Sequence, residues 1–123
     1  AVTGLPVALA AYDPGTPCLR LLAEGITADR VAAAAARPDA LRGAAATIFL
    51  AADLEASADR AGERGYRDAL IAIGRHLAAF EAVATLPLAV RPIPFLDREA
   101  DALLFLDGLS RSVLAALAIE AAG

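Results

Sequence analysis

The chain opens with two apolar runs on either side of a turn. Pro6–Asp13 is followed by a Pro-Gly-Thr-Pro turn, and a second apolar run occupies Cys18–Ala23. Apolar runs that flank a turn rich in proline and glycine are typical of antiparallel hairpins. The pattern therefore predicts a β-hairpin at this end of the chain.

A short helix and an apolar strand are predicted next. Thr27 is a typical capping residue, Asp29 stands in the first turn, and an Arg-Pro pair stops the helix after about Ala36. Ala44–Leu54 is almost continuously apolar, which predicts a strand buried on both faces. Its length alone would also allow a helix.

The clearest helical pattern lies in the middle of the chain. Asp53–Arg64 carries charged residues at helical spacing, which predicts a helix. Gly62 within this segment and Gly65 directly after it are expected to break the helix. A long helix is predicted over about residues 66–86, because apolar residues recur at alternating intervals of four and three until Pro87. This apolar stripe consists of Tyr66, Leu70, Ile73, Leu77, Phe80 and Ala84.

Three further elements are predicted after the long helix. Leu88–Ile93 predicts an edge strand, because Pro92 has no backbone N–H to donate to a sheet. Asp97–Phe105 predicts a short helix that is capped by its first residue and followed by a turn at Gly108. Ser112–Glu120 allows a strand or a helix, and its place after a helix and a turn favours a strand. The order ββαβααβαβ predicts one α+β domain over residues 1–123 with a single, mostly antiparallel sheet.

Composition limits the core and the classes of partner. Of 123 residues 59% are hydrophobic, but many are alanines that bury little area, so the predicted core is thin and helix-rich. The net charge is −4 and no basic run occurs, which argues against nucleic acid or an anionic membrane as a partner. No apolar run approaches the roughly 20 residues that span a bilayer, so a soluble cytoplasmic protein is predicted.

Few side chains are candidates for chemistry. Cys18 and His76 are each the sole residue of their type, which excludes an internal disulfide and a zinc site built on several cysteines. We expect Cys18 to be a buried, unreactive thiol and His76 to have a surface or capping role. Acidic residues at 53–55 and 97–101 begin predicted helices, so they indicate helix stabilisation, and we assign no catalytic residue and no metal ligand.

Charged residues of both signs surround the start of the long helix. Arg60, Arg64 and Arg67, with Arg75 beyond them, offer positive charge to an anion, but acidic residues are interleaved with them. Mixed-sign helix faces usually face solvent or a partner, and we expect that here. Tyr66 begins the apolar stripe, so a core or interface tyrosine is expected rather than a ligand-binding one.

Several short segments occur in a characteristic order. RAGERGYR at 60–67 is followed by IGR at 73–75, PIPFLD at 92–97 and ALLFLDG at 102–108. These segments resemble the C-terminal half of the nitroreductase superfamily, specifically the SagB-type azoline dehydrogenases, which use FMN to oxidise rings in ribosomal peptides. The resemblance is good from about residue 53 onward and loose before it.

The resemblance implies a nitroreductase-like fold with a long central helix, an FMN cofactor, and a dimer that builds the flavin site across the subunit boundary. By their position in the family's motifs, Arg60, Arg64, Pro92 and Ile93 would contact the cofactor. The N-terminal helices of the family, whose arginines hold the FMN phosphate, have no counterpart before the hairpin. A half-domain or a fragment of a longer chain is therefore expected.

Positions that are functional in the family carry inert residues in this chain. The Lys-Tyr pair proposed to handle protons is Arg60-Ala61, and an arginine stays protonated and cannot act as a base. The Gln-Asn pair, a flavin contact in the family, falls on Ala78-Ala79. Pro94 stands where the family has glycines, and it offers no N–H to a ligand.

These departures predict a degenerate domain that binds no cofactor on its own and that completes or scaffolds a partner. The partner would be a second copy, a related flavoprotein, or a peptide-modifying enzyme. One alternative is an FMN-dependent oxidoreductase whose phosphate site is completed by another chain or segment. Another is an α+β protein unrelated to this family, whose resemblance is compositional.

Overall fold

The elements of the chain follow the predicted order, with an additional 3₁₀ turn. The structure is a computed structural model, and it describes residues 7–41, 43–85 and 87–121. The strands are β1 (Ala8–Asp13), β2 (Cys18–Glu24), β3 (Ala46–Asp53), β4 (Leu88–Pro92) and β5 (Arg111–Ala121). The helices are α1 (Ala28–Ala33), α2 (Leu54–Ala61), α3 (Arg64–Val83) and α4 (Asp97–Leu103), and the 3₁₀ turn is Pro38–Leu41. The α+β class is confirmed.

The strands form two antiparallel sheets, so the prediction of a single sheet is wrong. β1 and β2 pair with each other as a hairpin, and the second sheet has the order β3-β5-β4. The hairpin closes locally through its own turn. The other three strands are far apart in sequence and are assembled by the pairing of β3 and β4 with β5.

The central strand β5 is the most buried element of the larger sheet. Ala115, Ala116, Leu117 and Ala118 are all buried, with Leu117 fully enclosed. In contrast, most side chains of β3 are half-buried, which corrects the prediction that this strand is buried on both faces. Both strands are continuous apolar runs, and only their place in the sheet decides which of them is enclosed. The predicted edge position of β4 is confirmed.

Two clusters of buried side chains form the core on one face of this sheet. The first core cluster contains Ile26, Ala34, Ala100, Leu103 and Val113, and the second contains Ile93, Ala116 and Ala118. Phe49 of β3 and Phe95 pack against both clusters. The alanines keep the layers close together, as the composition predicts.

The predicted cap of α1 is confirmed, but the helix is shorter than expected. The hydroxyl of Thr27 accepts the backbone N–H of Arg30 at 3.3 Å. The helix ends at Ala33, because the next residues pair with the segment before α4. In that pairing Ala36 donates its N–H to the carbonyl of Pro94 (3.1 Å), and Leu96 donates to that of Ala34 (2.8 Å).

A tight corner joins α2 to α3. Asp53 caps α2 by accepting the N–H of Ala56 at 2.9 Å, and Gly62 ends this helix with a φ of 61°. Gly65, which was expected to break a helix, instead lies buried inside α3 where the two helices meet. A Cβ at this position would overlap the carbonyl oxygen of Ser57 and approach the nitrogen of Ala58 to 2.7 Å. The glycine therefore permits the close contact.

The long helix α3 begins at Arg64 and ends at Val83, close to the predicted span. Leu86, the predicted end of this helix, lies outside the described residues. Pro6, the predicted start of the hairpin, lies outside them as well. The buried residues of α3 are Gly65, Ala69 and Ile73. Tyr66 is 55% exposed, so it is not a core residue, and the expectation of an interface tyrosine stays a prediction. The later part of the predicted stripe is confirmed, because Ile73 is buried and Leu77, Phe80 and Ala84 are half-buried. In the first turns Gly65 and Ala69 lie inward in place of Tyr66 and Leu70, and α3 contacts β3, β4 and β5.

The helix α4 lacks the predicted side-chain cap. Leu96 occupies the cap position and Asp97 is the first helical residue, with no capping hydrogen bond from a side chain. The reason is the pairing of Leu96 with Ala34, which fixes the backbone before the helix. Gly108 lies in the following turn with a φ of 77°, as predicted for the exit from this helix.

Candidate functional site

The β1–β2 hairpin presents an apolar face to solvent. Cross-strand register places Tyr12 opposite Leu19, and Ala10 opposite Leu21, so these four side chains share one face of the two-stranded sheet. The exposed fractions are 64% for Tyr12, 59% for Leu19 and 49% for Leu21. We refer to these four residues as the hairpin outer face.

The opposite face of the hairpin is attached to the rest of the molecule. Leu9 and Ala23 are cross-strand partners and pack against the first core cluster. A bulge leaves Leu22 as the extra residue on β2, with 48% of its surface exposed. Thus one face of the hairpin holds it in place, while the outer face has no covering element in the described part of the chain.

The turn of the hairpin is ordered by Asp13. Its carboxylate accepts the N–H of Gly15 at 2.9 Å and the hydroxyl of Thr16 at 3.2 Å. Cys18 pairs with Asp13 at the turn and is exposed, so the prediction of a buried thiol is wrong. The hairpin extends beyond the core at this end, and the apolar strand pattern does not reveal that.

A half-open cleft of about 330 Å³ lies between α3, α4 and the start of β5. Tyr66 and Leu70 of α3 line one side, and Asp97 and Asp101 of α4 line another. The cleft thus combines a phenol and apolar surface with two carboxylates. Negative charge in the wall opposes the binding of an anionic group such as a phosphate.

Asp101, at the bottom of this cleft, is satisfied by the protein itself. It is 6% exposed and accepts the N–H of Val113 at 2.7 Å and the hydroxyl of Ser112 at 2.9 Å. A Cβ at Gly108 would lie 3.0 Å from its carboxylate, so the glycine leaves room for this carboxylate. These bonds tie α4 to β5, which is a structural role.

Asp107 organises the turn that leads into β5. One carboxylate oxygen accepts the N–H groups of Leu109 and Ser110 at 2.9 Å and of Arg111 at 3.1 Å, and the other accepts the hydroxyl of Ser110 at 2.5 Å. The hydroxyl of Ser110 and these backbone donors hold the pKa of Asp107 well below its usual range. A carboxylate that accepts this many hydrogen bonds has little capacity left for a ligand.

The four residues predicted to contact a cofactor lie in two different settings. Arg60 is in the last turn of α2 and Arg64 begins α3, both exposed, and within the described residues neither guanidinium has a hydrogen-bonded or ion-paired partner. Pro92 ends β4 at the surface. Ile93 is buried in the second core cluster and donates its N–H to the carbonyl of Ala116 at 2.9 Å.

None of these four residues lines the cleft beside Tyr66. The backbone N–H of Ile93 is bonded to the carbonyl of Ala116, and its side chain is buried in the second core cluster. Neither the N–H nor the side chain is therefore accessible to a ligand. The exposed guanidinium groups of Arg60 and Arg64 remain the sole members of the predicted set with charge to offer. Arg67, Arg75 and His76 are also exposed on α3, in agreement with the predicted charged surface.

Within residues 7–41, 43–85 and 87–121, no three His, Cys, Asp or Glu side chains converge on a point that could hold a metal ion. Over the same residues, no helix combines the length and the apolar character required to cross a membrane.

The hairpin outer face was missed by the interpretation of the sequence, although a signal for it exists. Leu19 and Leu21 alternate with Arg20 along β2, and Tyr12 is the residue that pairs with Leu19. Alternation shows which residues share a face, but it does not show whether that face is covered.

A scan against models of protein families finds no match for this chain, and a search of the curated proteins finds none either.

Proposed function

We propose that this chain is a non-catalytic interaction subunit that scaffolds or completes a partner protein, and that it docks through the hairpin outer face. The observation that carries the proposal is the exposure of Tyr12, Leu19 and Leu21 side by side on one face. Exposed apolar patches on soluble domains commonly mark surfaces that bind other proteins.

Energetic considerations support this role for the hairpin. An isolated two-stranded sheet is marginally stable in water, and this one is anchored through Leu9 and Ala23 on its inner face. Leucines on the outer face add little to the stability of the free chain, since water still reaches about half of each side chain. They would contribute fully when a partner covers them.

The class of partner follows from the resemblance described above. A degenerate relative of the SagB-type dehydrogenases would associate with a related flavoprotein or with a peptide-modifying enzyme. The long α3 between antiparallel strands is compatible with that relationship and supports it over an unrelated α+β fold. The partner would supply a mainly apolar surface to these four residues, and Glu24, which pairs with Ala8 on the same face, would lie at the edge of the contact.

The second candidate is an FMN-dependent oxidoreductase whose flavin site is completed by another chain or segment. It is favoured by the two exposed, unpaired guanidinium groups of Arg60 and Arg64, which are suited to an anionic group. The flavin would then carry the redox chemistry, and this chain would contribute positive charge near it.

A photo-crosslinking amino acid at position 19 tests the first proposal. The tagged protein is produced in the cell that naturally makes it. Leu109, which is 83% exposed in the turn before β5, is the matched control position. We expect a discrete cross-linked protein from position 19 and none from position 109. The visible absorbance of the purified assembly then distinguishes the two candidates.

The outcomes separate clearly. An assembly without flavin absorbance whose cross-link forms at position 19 supports a scaffold subunit. Flavin absorbance that appears with the partner and is lost in an Arg60→Ala/Arg64→Ala variant supports the split flavin site. Equal labelling from positions 19 and 109, or flavin bound by the purified chain alone, would contradict the scaffold proposal.

A further inference from the structure

The two edges of the larger sheet differ in how well they resist pairing with another strand. β4 is five residues long and ends in Pro92, which cannot donate a backbone hydrogen bond. Arg91 on this strand contacts Glu120 of β5 at 2.6 Å and the carbonyl of Ala40 at 2.8 Å. Short length, proline and charge are the features that natural proteins use to protect an edge.

The β3 edge has none of these features. It is eight residues long, contains no proline, and carries no charge between Ala46 and Ala52. Within the described residues no strand pairs with its outer side. Long apolar edges are templates for a further strand, and soluble proteins rarely leave them open.

We infer that β3 pairs antiparallel with β3 of a second copy, which joins the two larger sheets into one of six strands. A two-fold axis lets identical strands present complementary backbone groups to each other. The inference goes beyond the proposed function, because it concerns another surface and another partner. It requires no element other than the strand that is already exposed.

Charge placement favours the antiparallel arrangement. Asp53 is the charged residue at one end of β3, where it also contacts Arg111 at 3.4 Å. If the axis passes through Leu50, so that Leu50 pairs with Leu50 of the other copy, Asp53 of each copy lies opposite Thr47 of the other. A parallel pair in register would instead bring the two Asp53 carboxylates together, where like charges repel.

The mass of the purified chain in solution tests the inference. Sedimentation equilibrium is measured over a wide concentration range for the wild type, Ala51→Lys, Ala78→Lys, and Leu19→Thr/Leu21→Thr. Ala51 is exposed in β3, where a lysine would oppose strand pairing, and Ala78 is an exposed position of α3 that serves as the control. Hydrogen exchange of residues 46–53 in the wild type gives a second measurement that depends on no variant.

We expect a wild-type mass of twice 12.5 kDa, reduced to the monomer by Ala51→Lys and unchanged in the other two variants. The protection of amides in residues 46–53 should rise with protein concentration. A wild-type monomer throughout, or a dimer that persists in Ala51→Lys without protection of residues 46–53, would overturn the inference. A dimer lost only in Leu19→Thr/Leu21→Thr would also overturn it and would assign self-association to the hairpin. Failure of the β3 pairing leaves the cross-linking test of the hairpin unaffected.

Discussion

The central strand of the larger sheet and the β1–β2 hairpin are built from similar residues but place them in opposite environments. In β5, Leu117 is 0% exposed and lies between neighbouring strands on both sides. In the hairpin, Leu19 is 59% exposed although it also belongs to a regular strand with a cross-strand partner. The apolar residues of β5 stabilise the fold, whereas those of the hairpin outer face contribute little to it.

This difference shows that an apolar strand can have two purposes within one small domain. The inner face of the hairpin uses Leu9 and Ala23 for attachment to the core, which leaves Tyr12, Leu19 and Leu21 outside it. The proposed contact with a partner would account for side chains that contribute little to the stability of the chain by itself.

The largest effect is expected in the central strand. Replacement Leu117→Ala removes a fully buried side chain that lies between its cross-strand partners Ile48 and Pro92. The expected loss is about 2–5 kcal/mol of unfolding free energy. Urea denaturation followed by circular dichroism measures it, and a loss below about 1 kcal/mol would show that β5 is not the centre of the core.

The corner between α2 and α3 should respond almost as strongly. In Gly65→Ala the new methyl group would overlap the backbone at Ser57, so the helices must separate, at a cost of about 1–3 kcal/mol. Gly74→Ala is the matched control, because nothing lies within 4 Å of a Cβ there. It should stabilise the chain by about 0.5–1 kcal/mol. If both replacements stabilise the protein, the close approach of the two helices is incorrect.

A smaller effect, confined to acid, is expected at the turn before β5. The depressed pKa of Asp107 means that its ionised form is favoured in the folded chain, so its contribution is complete above the ordinary value of 3.8. That contribution is lost as the pH falls below this value towards the folded pKa. The stability difference between the wild type and Asp107→Asn should therefore shrink on acidification. A difference that is constant across this range in urea titrations would contradict the ionic role.

The smallest effect on stability is expected at the hairpin outer face. Leu19→Thr/Leu21→Thr keeps residues that suit a strand and removes apolar area that water already reaches. The unfolding free energy should change by no more than about 0.5 kcal/mol per replacement. Leu109→Thr, at the most exposed of the large apolar residues of the described chain, provides the comparison. A loss as large as that in Leu117→Ala would mean that these leucines belong to the core.

Much of the fold follows from local patterns in the sequence. The turn after Asp13, the cap at Thr27 and the glycine at position 62 each determine where an element begins or ends, and their effects are local. For this reason the order of the elements could be predicted. The α3 boundaries were predicted to within a few residues because a 3.6-residue period over a long segment is a strong signal.

The features that could not be predicted depend on contacts between distant residues. β3 and β5 are both apolar runs, and it is strand pairing, not composition, that places β5 at the centre of the sheet and β3 at its edge. The early end of α1 results from its bonds to Pro94 and Leu96. The exposure of Cys18 and Tyr66 likewise depends on which faces are covered, and a residue pattern does not record this.

The most direct test of the proposed docking role is the size of the native assembly. Native mass spectrometry of the tagged chain, isolated from the cell that naturally makes it, should be compared for the wild type, Leu19→Thr/Leu21→Thr and Leu109→Thr. We predict a partner-containing assembly for the wild type and Leu109→Thr, and loss of that partner in the double variant, with unfolding free energies that are nearly the same. An assembly that is unchanged by the double replacement, or a wild-type chain that carries no other protein, would contradict the claim that the hairpin outer face is a docking surface.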